Sequence, residues 1–197
     1  MEKKTIIVGA TGASGMPVLE QCLRLIRSAA DYQSCLIMSR NGMLTLEQES
    51  ACSRGEIEAL ADQICSPDDI GAGPASGTWK AAGMLIVPCS MKTAAGTVSG
   101  YTDNLILRAA DVTIKEQRPL VLAVRETPLS PIHLRNLYQL SVIPGVRIIP
   151  PMLTFYHRPE SISDMVYHIA AKLLEPFGVE AEGYRRWKGT GHEGICD

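Results

Sequence analysis

The sequence predicts a three-layer α/β/α fold around a mainly parallel sheet. Five short apolar runs, each closed by a turn signal, alternate with helical patterns along the chain. The runs are apolar throughout rather than alternating, as strands covered by helices on both faces must be. Alternation of strand and helix then implies right-handed crossovers.

Taken in order, Thr5–Gly9 is the first expected strand, followed by a helix over Met16–Ala29 with Val18, Leu19, Cys22, Leu25 and Ile26 on one face. Ser34–Ser39 and Met84–Pro88 read as the next strands. Between them, residues 66–78 form a loop with no core-facing pattern, and a loop of that length is more often functional than idle. Thr102–Glu116 is a second helix, carried by Leu105, Ile106, Ala109 and Val112. Pro119–Val124 is a strand, Ile132–Leu140 a helix and Val146–Ile149 the last strand. The final helix starts at Ser161, where Ser161-Ile-Ser-Asp164 makes a capping box with Asp in place of Glu. Its stripe is Ile162, Met165, Val166, Ile169 and Leu173. With no repeat and no second core, the expectation is one domain over 1–188 and a polar, Gly-rich tail over 189–197.

Composition narrows the function. The chain has 197 residues, 46% of them hydrophobic and 20% charged, enough to bury a core without disulfide or metal. Lys plus Arg number 19 against 21 Asp plus Glu, a net charge of -2. That balance lacks the electrostatic footprint of a nucleic-acid binder, although it leaves room for a local cationic pocket. Cys22, Cys35, Cys52, Cys65, Cys89 and Cys196 form no C-x-x-C pair, and the four histidines do not cluster with them. Scattered reduced thiols are therefore expected, with no zinc site. Met1-Glu-Lys-Lys4 runs straight into a strand, and no apolar run approaches the ~18 residues that span a bilayer. A cytoplasmic protein with no membrane partner is expected.

Two loops carry the chemistry. Gly9-Ala-Thr-Gly-Ala-Ser-Gly15 joins the first strand to the first helix, with glycines for close approach and a helix N-terminus for an anion. The pattern is shared by dinucleotide folds, flavin folds and loops that bind nothing. The second strand ends in Ser39-Arg40 with no acidic residue for a ribose, so a mononucleotide or flavin phosphate suits it at least as well as a dinucleotide. Ser90, Lys92 and Thr93 follow the third expected strand, at the edge where open α/β sheets bind ligands.

Five motifs occur in order: Gly12-Ala-Ser-Gly15, Pro88-Cys-Ser-Met-Lys-Thr93, Asp103-Asn-Leu-Ile-Leu-Arg-Ala-Ala-Asp111, Arg125-Glu-Thr-Pro-Leu129 and Pro150-Pro-Met-Leu-Thr-Phe-Tyr-His-Arg-Pro159. Together they closely resemble the UbiX/Pad1 family of flavin prenyltransferases, over residues 5 to about 188. Ser76-Gly-Thr-Trp79 and Arg185-Arg-Trp187 look like the branch of that family found beside bacterial hydroxyarylic and phenolic acid decarboxylases.

The resemblance implies a flavodoxin-like, Rossmann-type subunit in a dodecamer with sites at subunit junctions. The implied reaction joins reduced FMN, at N5 and then C6, to the dimethylallyl group of dimethylallyl monophosphate, without metal. The product, prenylated FMN, goes to a UbiD-type decarboxylase. By motif position FMN is held by Gly12, Ala13, Ser14, Ser39, Ser90, Met91, Lys92, Thr93 and Arg125. The donor phosphate falls to Lys115, Arg125, Tyr156 and Lys172, with Ser14 nearby. A leaving phosphate with no magnesium needs such fixed cations and donors. Glu126 is placed to move a proton, and Trp187 to wall the prenyl chain and steady an allylic cation; Trp79 is a weaker candidate for the same task.

Each of these has a reading without chemistry: Lys115 as a solvated helix end, Glu126 in water, Tyr156 as a core aromatic, Lys172 snorkelling, Trp187 as packing. Lys172 also lies about eleven residues beyond the Ser161 cap, roughly 16 Å along the helix. For Tyr156 to share a phosphate with it in one subunit, the Tyr156 segment must fold back along that helix.

Two other functions fit the same pattern less well. One is a non-catalytic FMN carrier or assembly subunit of a decarboxylase. The other is an FMN-dependent cysteine decarboxylase, against which stand Pro151-Met-Leu-Thr154 without an Asn and the lack of any His before His133.

Overall fold

The structure is a computed structural model that describes residues 3–187 and 189. Side chains along β1 (Lys4–Ala10) point alternately to the two sides of the sheet, and both sides are covered. Ile6 and Val8 are buried against one helical layer and Ile7 against the other, which is why the strand reads as an unbroken apolar run. The same holds for β2 (Tyr32–Met38), β4 (Gly83–Cys89) and β5 (Leu120–Val124).

With β3 (Gln63–Cys65) and β6 (Val146–Ile148) these strands form one six-stranded sheet of order β3-β2-β1-β4-β5-β6, every pairing parallel. The three-layer expectation is borne out. Helices α1 (Met16–Ser28) and α7 (Ile162–Leu174) lie on one face, with Leu46 of α2 (Arg40–Glu49) and Ile57 of α3 (Arg54–Glu58) in the same cluster. Across the sheet, α4 (Met91–Ser99), α5 (Leu105–Lys115) and α6 (Pro131–Ser141) bury the second cluster.

Four elements escaped the sequence reading. β3 has only three residues, none buried, at the sheet edge, so no apolar run announces it. α2, α3 and α4 expose most of their residues or bury small ones; α4 packs through Met91, Thr93, Ala94 and Thr97. The loop expected over 66–78 contains a 3-10 turn at Gly73–Ala75, and Arg118 ties its end down through the carbonyls of Gly77 and Trp79 at 2.7 and 3.0 Å.

Strand order reverses direction at β1, between β2 and β4. Loops leaving the carboxyl ends of β1 and β4 therefore diverge and leave a crevice. Among the described residues no helix is long and apolar enough to cross a membrane. Of the tail set off at 189–197, residues 190–197 lie outside the described residues, as does Cys196.

Candidate functional site

Helices begin around the crevice because a short polar side chain stands before each. Ser39 Oγ accepts from Gly42 N at 3.0 Å, Ser90 Oγ from Thr93 N at 3.3 Å, and Asn104 Oδ1 from Leu107 N at 3.0 Å. These caps start α2, α4 and α5, and all three line one cleft of about 730 Å³. Three helix N-termini facing one space make it favourable for an anion. Buried Thr11 fixes the rim: its hydroxyl donates to Pro88 O at 2.9 Å and accepts from Ser90 N at 2.8 Å. Gly12 is required beside it, since a Cβ there would lie 2.6 Å from Asn41 Cβ. A lining that combines hydroxyls and Lys92 with Met43, Ile106 and Leu107 suits a phosphorylated cofactor with a flat ring. FMN fits that donor set.

The N-terminus of α1 is different. Its N–H groups, expected to be free for an anion, are engaged by Glu49, whose Oε2 accepts from Gly15 N at 2.8 Å and Met16 N at 3.0 Å. Burial pushes the Glu49 carboxyl up, but the Gly15 N–H, the Ser14 hydroxyl, the Met16 N–H and the Arg125 charge together hold it below its ordinary 4.5. A lowered folded-state value means stability that is present above the ordinary value and lost as pH falls through the folded one. Glu49→Ala is therefore expected to cost about 1 kcal/mol at neutral pH, the scale of a helix cap, and much less in acid. Urea denaturation of both proteins at the two pH values measures it. Ser14, Glu49 and Arg125 thus gather beside the first cleft. Glu126 follows Arg125 at the end of β5 and is exposed, its Oε1 accepting from Thr127 N at 3.0 Å.

A second cleft, of about 1110 Å³, lies along α7. The segment after β6 does fold back on that helix: the His157 ring stacks on His168 with centroids 3.9 Å apart and planes within 5°. Burial, then the neighbouring His168 and Arg185, hold the His157 imidazole below its usual range, against the pull of Asp164. Arg185 clamps the arrangement, its guanidinium donating to His157 O at 3.1 Å while its carbonyl stands 3.2 Å from His168 Nε2. Tyr167 Oη donates to Glu182 O. These ties bring Trp187 to Tyr156, ring centroids 5.5 Å apart, and Tyr156, Lys172 and Trp187 line one space. Lys172 Nζ is paired with Glu175 Oε2 at 2.6 Å.

Apart from Arg125 and Glu126, which line neither cleft, the candidates from the sequence fall into three groups. Gly12, Ser39, Ser90, Lys92 and Thr93 line the first cleft, with Ala13 and Ser14 in the adjoining loop and Met91 opening α4. Tyr156, Lys172 and Trp187 line the second, which shares no lining residue with the first. Lys115 belongs to neither. It ends α5, about 16 Å along the helix from the Asn104 cap, paired with Glu116 at 2.7 Å beside the Gly77 loop. Trp79 packs half-buried against the second core cluster. Thr11, Glu49, Asn104 and Glu175 are the site residues that sequence reasoning passed over. Asn104 and Thr11 stand inside the motifs; Glu49 and Glu175 give no local signal. Among the described residues no group of three or more His, Cys, Asp or Glu could hold a metal ion.

The chain matches the Flavoprotein family over residues 1–174. Flavin prenyltransferase LpdB of Lactiplantibacillus plantarum is 48% identical over 186 residues, 94% of this chain and 99% of that one. The chain belongs to the UbiX-like flavin prenyltransferase family. Members of known structure share its architecture. A dodecameric FMN-dependent UbiX-like decarboxylase from Escherichia coli O157:H7 is 45% identical with a TM-score of 0.91, covering 94% of this chain and 100% of that one. AnUbiX (PadA1), solved in complex with FMN and dimethylallyl pyrophosphate, is 38% identical with a TM-score of 0.92 over 95% of this chain and 99% of that one.

Proposed function

We propose that this protein is a flavin prenyltransferase, joining the dimethylallyl group of dimethylallyl monophosphate to reduced FMN and releasing phosphate and prenylated FMN. The observation that carries the reading is the pair of clefts. One has the caps and hydroxyls for a mononucleotide phosphate beside an apolar wall; the other has cations beside two aromatic rings. A relative at 38% identity was solved with both FMN and dimethylallyl pyrophosphate.

In this reading Ser39, Ser90, Lys92 and Thr93 bind the flavin phosphate at the helix N-termini, and Arg125 adds a charge-assisted hydrogen bond. Gly12, Ala13 and the Met91 backbone shape the walls. Reduced FMN supplies the two nucleophilic atoms, N5 and C6. Tyr156 and Lys172 meet the negative charge that gathers on the departing phosphate. The faces of Trp187 and Tyr156 shield the allyl group and favour its cationic character. Glu49, at the end of α2, fixes the Ser14 loop, and Glu126, exposed at the carboxyl end of β5, takes the proton that C6 loses on ring closure.

The two clefts are separate in one chain, so the complete site draws the FMN cleft from one subunit and Tyr156, Lys172 and Trp187 from another. Lys115, at the far end of α5, reaches a site only in the same way. A homo-oligomer follows, and a relative at 45% identity is dodecameric. Prenylated FMN is useful only to an enzyme that takes it up, and a UbiD-type aromatic acid decarboxylase is the partner we assign. The test is incubation of the protein with reduced FMN and dimethylallyl monophosphate under anaerobic conditions. A gain of one prenyl unit in the flavin mass is expected; an unchanged flavin would leave a mere FMN carrier.

A further inference from the structure

We infer that Glu175 is a built-in counter-ion of the donor-phosphate site, pairing with Lys172 and the neighbouring Arg186 between turnovers and biasing the site toward a monophosphate over a diphosphate donor. The inference rests on the reading that places the donor phosphate at Lys172. Both oxygens of the Glu175 carboxylate are committed: Oε2 accepts from Lys172 Nζ at 2.6 Å, and Oε1 accepts from Arg186. The carboxylate is the more covered partner, 28% exposed against 55% for Lys172 and 51% for Arg186. It lines the same cleft as the two cations and as Tyr156 and Trp187.

The Lys172 hydrogen bond first, opposed by burial and joined by both positive charges, holds the Glu175 carboxyl below its usual range. It stays ionised at neutral pH. Glu180 also touches Arg186, at 3.6 Å, but is 86% exposed and contributes little.

A phosphate arriving at Lys172 and Arg186 asks for the donors that Glu175 already holds. Two positive charges less one leave the three groups with a single net positive charge, so each further negative charge on the ligand is repelled by the carboxylate as well as drawn by the cations. At a half-exposed site each such charge is worth about two- to fivefold in affinity. A diphosphate carries more charge than a monophosphate and is penalised more. When phosphate departs, the carboxylate takes back both cations, so neither is left unpaired.

The experiment titrates the FMN-loaded oligomer with inorganic phosphate and with pyrophosphate by calorimetry, for wild type, Glu175→Gln, Glu175→Ala and Lys172→Ala. Both Glu175 variants are expected to bind phosphate about two- to fivefold more tightly and pyrophosphate more tightly still. The gain should shrink as sodium chloride is raised, because it is electrostatic, and FMN affinity should stay unchanged. Glu180→Gln should behave as wild type. If Lys172→Ala weakens phosphate binding while neither Glu175 variant tightens it, Glu175 is a structural ion pair and this inference is overturned. Equal gains for phosphate and pyrophosphate would overturn the bias between donors. If Lys172→Ala leaves phosphate binding untouched, the placement of the donor phosphate itself fails.

Discussion

Tyr156→Phe and Lys172→Ala should each retain FMN yet lose roughly 10²-fold or more in prenyl transfer, the scale for removing one donor that acts on developing charge. Neither residue lines the cleft assigned to FMN, so flavin binding should survive. Both line the cationic, aromatic cleft. Their hydrogen bonds matter most as negative charge collects on the departing phosphate, so turnover suffers more than ground-state binding. Single-turnover formation of prenylated flavin, read beside FMN affinity from flavin fluorescence, separates the two effects. A variant that prenylates at the wild-type rate under saturating donor would show its residue to be packing only.

Arg125→Ala should act on the other half of the site and weaken FMN binding by ~1.5–3 kcal/mol, the range for a charge-assisted hydrogen bond. Arg125 follows β5 at the carboxyl edge, its backbone N–H donating to Cys89 O at 3.1 Å. That ties it to the strand whose loop carries Ser90 and Lys92. Its charge also helps to hold the Glu49 carboxyl down, so the same variant should raise the pH at which the Glu49 contribution to stability is lost. Unchanged FMN affinity in a folded Arg125→Ala protein would remove Arg125 from the site.

How far the sequence speaks depends on how locally each feature is encoded. Four strands were legible because burial on both faces leaves an apolar run, and the edge strand Val146–Ile148 because Val146 and Ile148 flank Arg147; Gln63–Cys65, exposed at the other edge, leaves no such signal. The Ser161 capping box was legible because its two halves are three residues apart, and both hydrogen bonds are present. Helix α4 was not, because Ala94 and Thr97 pack without making a stripe. The cleft proposed for FMN was largely readable for the same local reason: Ser39 and Ser90 stand directly after strand ends.

Contacts made across the fold were silent. Glu49 reaches Gly15 over 34 residues of sequence, and Arg186 reaches Glu175 over 11. No spacing rule connects them. Lys115 was legible as a helix end, but its pairing with Glu116 beside the distant Gly77 loop was not. Conversely, the fold-back that Tyr156 needs in order to approach Lys172 followed from helix rise alone, and the stacking of His157 on His168 is how the chain achieves it.

A prenyl-transfer site split between subunits should be rebuilt when two differently defective proteins are mixed. Arg125→Ala damages the FMN cleft and Lys172→Ala the phosphate cleft, so at limiting FMN each oligomer alone should prenylate the flavin far more slowly than wild type. Oligomers assembled from both variants together contain junctions where an intact FMN cleft meets an intact Tyr156–Lys172 cleft. Those mixed oligomers should regain prenylated FMN, seen as a gain of one prenyl unit in the flavin mass. Mixed oligomers of confirmed composition that remain as inactive as either parent would place the whole site within one chain and contradict the account.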